Sequence, residues 1–232
     1  MLEPKNRIEI DEELIKMGVL LQIPAIRIFD CKILQFNYDI SDLIEHVHLT
    51  LKQNYTDEHI KASEIVKKYR NFSWHFLKMD PTKNRPSGEA LARRLYKSNM
   101  FPKINPFVDA YNLASAETFI SISAYDLQKL EEPLTLRLAH KGERFVAIGN
   151  LEITFEGQEF IISDAQNRVL TQYLYRDSEE TKVSNHTEKI IFILNSVNHL
   201  EEQDLERAKS RIIYYLNTLS ERGIIRFRIA HL

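Results

Sequence analysis

The sequence predicts an α+β fold with helices early, a β-rich middle and a closing C-terminal helix. Three observations carry this reading. Apolar residues recur at helical spacing between residues 41 and 98. From residue 135 to 194, short runs rich in β-branched and aromatic residues are separated by turn residues. From Glu201 to Leu219, Leu205, Ala208, Ile212, Tyr215, Leu216 and Leu219 form one apolar stripe, with Gly223 as its stop.

The elements follow in order. Residues 1–17 read as a loosely ordered start. Met17–Ile23 and Ile26–Gln35 are apolar runs split by Pro24, and both read as strands. Ser41 is the expected N-cap of a helix over Asp42–Asn54, with Leu43, Val47 and Leu51 on one face. Thr56 or Asp57 opens a second helix over Glu58–Arg70. Ser87 is expected to cap a third over Gly88–Ser98, and Ile104–Ser115 follows as an ordered segment. Thr135–His140 alternates as a half-buried strand does. Arg144–Ile148, Leu151–Phe155, Phe160–Ser163, Val169–Tyr175 and Ile190–Leu194 complete the β-rich middle, and Ile224–Ile229 is a last strand.

Composition bounds the function. At 232 residues, 44% hydrophobic and 28% charged, the chain supports a single domain over 1–232 with a substantial core. The lone Cys31 excludes an intramolecular disulfide and a cysteine-based zinc site, and its apolar surroundings speak against a nucleophile. His46 and His48 are two apart and face different ways on a helix, so they form no metal pair. The acidic, polar N-terminus lacks a signal-peptide pattern, and no apolar run approaches about 18 residues. With six glycines there is no phosphate-cradling loop, and there is no GxSxG elbow. The expectation is a cytoplasmic monomer without metal, cofactor or membrane contact.

Charge is unevenly placed. Residues 67–103 hold ten lysines and arginines against two acids, a local +8 in a chain of net −2. Such a block points to a polyanionic partner or an anionic ligand, and Lys83, Arg85, Arg93, Arg94 and Lys97 are its candidate contacts. The alternative is a solvated helix face, although few acids lie between these cations. Asp109, Asn112 and Ser115 sit at three-residue spacing and would share a face on a helix but not on a strand. They bond nearby backbone or face a ligand. Arg176 and Asp177 read equally as an ion pair holding a turn, and Thr181 and Thr187 as caps.

DPTKNRPSGEALARRL, FPKINPFVDAYNLAS, AYDLQKL, RLAHKGERFVAIG, IISDAQNRVL and YRDSEETKVSNHTEKIIFIL occur in that order over roughly residues 60–220. Together they resemble a free-standing B3/B4 domain, otherwise found in the phenylalanyl-tRNA synthetase β subunit, where it hydrolyses wrongly attached tyrosine. The resemblance implies a tRNA or aminoacyl-tRNA partner and hydrolysis by a positioned water, without a Ser/His/Asp triad. It places Asn112, Arg176 and Asp177 at the chemistry, with Ser115, Ser121, Ser123, Gln172 and Thr181 as pocket residues. Arg176 would donate to a carbonyl or carboxylate, and Asp177 would orient it or a water. Three departures argue against tyrosine as the substrate. Bulky Gln172–Arg176 replaces a glycine-rich turn, Ser123 stands where the synthetase has a histidine, and no acid follows the apolar strand in IIFILNSV. A non-catalytic RNA-binding module and a protein binding a small amino-acid-like metabolite are the alternatives.

Overall fold

The computed structural model describes residues 7–229. Its strands are β1 (Arg7–Ile10), β2 (Ile23–Ile33), β3 (Ile122–Asp126), β4 (Thr135–Leu138), β5 (Arg144–Ala147), β6 (Leu151–Thr154), β7 (Phe160–Ser163), β8 (Val169–Gln172), β9 (Arg176–Asp177), β10 (Ile190–Leu194) and β11 (Ile225–Ile229). The helices are α1 (Glu12–Lys16), α2 (Ser41–Asn54), α3 (Asp57–Ala62), α4 (Glu64–His75), α5 (Ser87–Ser98), α6 (Pro106–Thr118) and α7 (Glu202–Glu221).

One mixed sheet runs β3-β10-β2-β1-β4-β7-β8-β9, and β11 also pairs with β2. The all-apolar β10 lies antiparallel between β3 and β2, with Phe192 opposite Ala124 on one side and Ile26 on the other. Being flanked on both sides, it is buried at every residue. β5 and β6 form a separate hairpin over a small cluster of Phe145, Phe155, Ile161 and Val169.

Helix α6 is the buried centre. Asn105 caps it, accepting from the Phe107 and Val108 amides at 3.1 and 3.0 Å, and Pro106 opens its first turn. All its residues except Tyr111 and Glu117 are buried, between α5, α7 and β3. Ala110, Ala114 and Ala116 keep its surface low enough for such close packing.

Where α5 meets the turn after α6, a Cβ on Gly88 would lie 2.3 Å from the Phe119 carbonyl oxygen, so only glycine fits. Glu89, 1% exposed, then ties helices together: it accepts from Arg70 at 2.9 and 2.5 Å and from Arg93 at 3.2 Å.

Local details differ from the sequence reading. The N-terminal segment expected to be loose holds β1 and α1 from residue 7 on, with Asp11 capping α1; residues 1–6 lie outside the described range. Gly18, at φ +87°, turns the chain after α1, so of Met17–Ile23 only Ile23 enters a strand, and Pro24 lies inside β2. The helix expected over Glu58–Arg70 is two helices. Ser63 is extended (φ −61°, ψ 143°) and caps α4 by accepting from the Val66 amide. Thr56 does cap α3, accepting from His59 at 3.1 Å. Ser41 and Ser87 are the first helical residues, after Ile40 and Pro86 at the cap positions, and neither helix has a side-chain cap.

Candidate functional site

The cavity that gathers most of the predicted polar residues holds about 160 Å³. Asn112 and Tyr111 reach it from α6, Ser121 and Ser123 from the turn into β3 and from β3 itself, and Thr171 from β8. Arg176 and Asp177 come from β9, Asn195 from the residue after β10, and Arg85 and Ser87 from the start of α5. Arg85, Ser87 and Tyr175 are exposed and form its rim.

The walls are held by backbone bonds that the fold supplies. Tyr69 is fully buried; its hydroxyl donates to the Asn195 carbonyl at 2.6 Å and accepts from the Ser121 amide at 3.1 Å. The Asn195 amide N–H donates to the Ser121 carbonyl at 2.9 Å. Asn195 Nδ2 donates to Ser123 Oγ at 2.8 Å, while its buried Oδ1 has no partner. The β8–β9 turn passes through Leu174 at φ +62°, an unfavourable conformation for a leucine, and delivers Arg176 and Asp177 in register with Gln172 and Thr171. Thr171 Oγ1 braces that turn by donating to the Arg176 carbonyl at 3.0 Å.

Arg176 and Asp177 do not pair with each other. The Tyr125 hydroxyl donates to Asp177 Oδ1 at 2.5 Å. Burial pushes the Asp177 carboxyl above the ordinary aspartate value, against the lowering effect of the Tyr125, Thr171 and Ser123 hydroxyls. The Arg176 guanidinium stacks over Tyr175 with its carbon 4.9 Å from the ring centre, and its buried Nε has no hydrogen-bond partner.

Three predicted pocket residues lie elsewhere. Ser115 Oγ donates to the Ile120 carbonyl at 2.5 Å and fixes the end of α6. Thr181 is buried, and its carbonyl accepts from the Asp126 amide at 2.8 Å. Gln172 pairs through its backbone with Ile161 and Arg176. Thr187 bonds Asp126 through its hydroxyl at 2.9 Å and acts as a brace. Asp109, in line with Asn112 on α6, is also structural. It accepts from the Tyr38 hydroxyl at 2.6 Å and the Ile104 amide at 2.9 Å, and burial lifts its carboxyl to about 6. Asn195 was not singled out from sequence, and Ser87 was read only as a helix cap; a polar residue directly after the apolar β10 is the signal for the first.

The basic block divides in space. Arg85, Arg93, Arg94 and Lys97 line a surface groove of about 330 Å³ along α5. Arg93 is held by Asp57 at 3.1 Å and by Glu89, and Lys97 lies 3.5 Å from Asp57. One acid that the local sequence lacks, Asp57, thus arrives from α3. Arg85, Arg94 and the turn residue Lys83 are exposed and have no ion pair among the described residues. Arg85 belongs to both groove and cavity.

No cluster of three metal-ligating side chains occurs among the described residues, and none of their helices is long and apolar enough to cross a membrane. Burial pushes the Cys31 thiol up to about 12.

A family model described as the B3/4 domain matches residues 68–217. The phenylalanine–tRNA ligase beta subunit of Malacoplasma penetrans is 28% identical over 102 residues, 44% of this chain and 13% of the relative. That of Lactobacillus acidophilus is 31% identical over 98 residues, 42% and 12% respectively. The similarity thus covers about an eighth of the length of these relatives. Among solved structures, an N-terminal fragment of the phenylalanyl-tRNA synthetase beta subunit from Pyrococcus horikoshii aligns over 88% of this chain and 75% of its own, with TM-score 0.42 and 14% identity.

Proposed function

The chain belongs to the B3/4 domain family, and from this we propose that it binds the terminus of an aminoacyl-tRNA and hydrolyses a mischarged aminoacyl ester in trans. The observation that carries the reading is the position of Arg85, shared by the polar cavity and the basic groove along α5. An amino-acid moiety in the cavity would leave the phosphates of the attached tRNA beside Arg85, Arg94 and Lys83.

The chemistry asks for little. An aminoacyl ester is already activated, so holding it and a water in attack geometry supplies much of the rate. In this reading Asp177 would orient the water. The Asn112 amide and the Ser121 hydroxyl are donors for the carbonyl oxygen as charge develops on it, while the Ser123 hydroxyl supports Asp177. Water adds to the carbonyl carbon, the bond to the ribose oxygen breaks, and that oxygen leaves with the proton. Arg176 offers a donor to a carbonyl or carboxylate of the ligand.

The test is a panel of mischarged tRNAs. Release of at least one amino acid faster than in buffer, lost in Asn112→Ala, is the expected result. Uniform background rates would sink the hydrolase reading. A binding module without hydrolysis is the second reading, favoured by the exposed Lys83, Arg85 and Arg94, which have no ion pair among the described residues and can hold phosphates without any chemistry in the cavity. It predicts binding without release.

A further inference from the structure

We propose that the cavity selects a small ligand carrying both a carboxylate and an ammonium group, with the carboxylate at Arg176 and the start of α5 and the ammonium at Asn195. This deepens the reading of the cavity given above and rests on it. The ligand chemistry has two sources: the acidic side chain of an aspartyl-type aminoacyl ester, or the free α-carboxylate of a small amino acid.

The anionic end is built from groups without an acid of their own. Arg176 has no salt bridge among the described residues, and its buried Nε has no hydrogen-bond partner. Its guanidinium carbon lies 4.9 Å from the Tyr175 ring centre, and its planar fork of donors suits a bidentate carboxylate. Arg85 is likewise unpaired and lines the same space. The twelve-residue α5 begins at Ser87, which lines the cavity, behind Pro86, which has no capping side chain; the Gly88 amide donates to Ser121 Oγ at 3.5 Å, and the positive end of the helix dipole lies at the rim.

The cationic end is independent of this. Asn195 is 4% exposed, it lines the cavity, and its Oδ1 is an acceptor without a donor. A buried carbonyl-type oxygen left unsatisfied is costly, and a ligand N–H would satisfy it.

Size narrows the class. A cavity of roughly 150 Å³ is filled by benzene. At about 160 Å³ with a polar lining, the space accommodates a short polar amino acid.

Two measurements on the full chain decide this. In the first, aspartic acid and alanine are compared with aspartate diamide and alanine amide by calorimetric titration. In the second, deacylation of Asp-, Ala- and Phe-charged tRNA is followed. The expected result is carboxylate-dependent binding, at least tenfold weaker in Arg176→Gln and weakened also in the exposed variant Arg85→Gln, with Asp-tRNA cleaved fastest. Unliganded melting curves confirm that both variants fold. Binding of free acids over their amides, with no ester cleaved, supports the carboxylate site, assigns the free amino acid as its source and removes the hydrolase reading. Cleavage of Ala- or Phe-tRNA faster than Asp-tRNA, with amides binding as well as acids, overturns the carboxylate inference while the hydrolase reading stands. Neither binding nor cleavage of any of these overturns both.

Discussion

Asp109 is buried and Asp177 half-buried, and both accept from a tyrosine hydroxyl, yet they stand in different relations to the cavity. If Asp177 orients the attacking water as a carboxylate, the deacylation rate falls as pH drops through its raised pKa, beginning above the ordinary aspartate range. Asp177→Asn removes both the rate and the pH dependence, read from initial rates at a series of pH values. Asp109 bears on stability. Its folded value of about 6 exceeds the unfolded one near 3.8, so the stability it contributes is complete below the unfolded value and lost as pH rises through 6. Asp109→Asn has no such loss. Between pH 4 and 7 denaturant titrations should therefore move in favour of the variant by up to about 3 kcal/mol. The spacing of Asp109, Asn112 and Ser115 announced a shared helix face. It could not separate the three, because their different roles depend on Tyr38, the cavity and the Ile120 carbonyl, partners supplied by tertiary structure.

At the scale of elements, the start of α5 decides the site. Gly88→Ala places a methyl against the Phe119 carbonyl, backbone that has no side chain to swing aside. The expected cost is about 1–3 kcal/mol in denaturant melts, with weaker ligand binding because α5 must move away from Ser121. An unchanged melt would show that the turn yields freely. Periodicity located α5, α7 and β10 well because each has a strong apolar pattern. It missed the break at Ser63, where one hydroxyl bond to Val66 restarts the helix, and it missed the capless start at Ser87. A serine before an apolar run reads as a cap whether or not the backbone uses it.

For the molecule as a whole, the local charge of +8 overstates what faces outward. Asp57 and Glu89 hold Arg93, and Asp57 also lies beside Lys97. Arg94→Glu and Arg93→Glu should therefore part company. The first weakens tRNA binding and makes it less salt-dependent while leaving the melting curve in place. The second destabilises the fold, because Glu89 and Asp57 then meet another acid in a half-buried site. With three or four phosphates engaged, a log–log salt slope of about −2 to −4 is expected. If both variants melt like the parent, the ion-pair network contributes nothing to stability.

The pairing of β11 with β2 has a kinetic consequence. Ile229 lies opposite Ile28 and Ile225 opposite Ile33, so the last described strand completes a strand near the beginning. Until it is made, Ile28 to Ile33 presents open hydrogen-bonding groups and apolar side chains to solvent. Contacts of such long sequence separation form slowly, and a growing chain cannot form this one until residues 225–229 have emerged. A chain stopped at Gly223 should keep much of its helix content and the β7–β8 pairing, but should self-associate through the exposed edge of β2. Light scattering of the truncated and full chains, refolded side by side, measures that vulnerability.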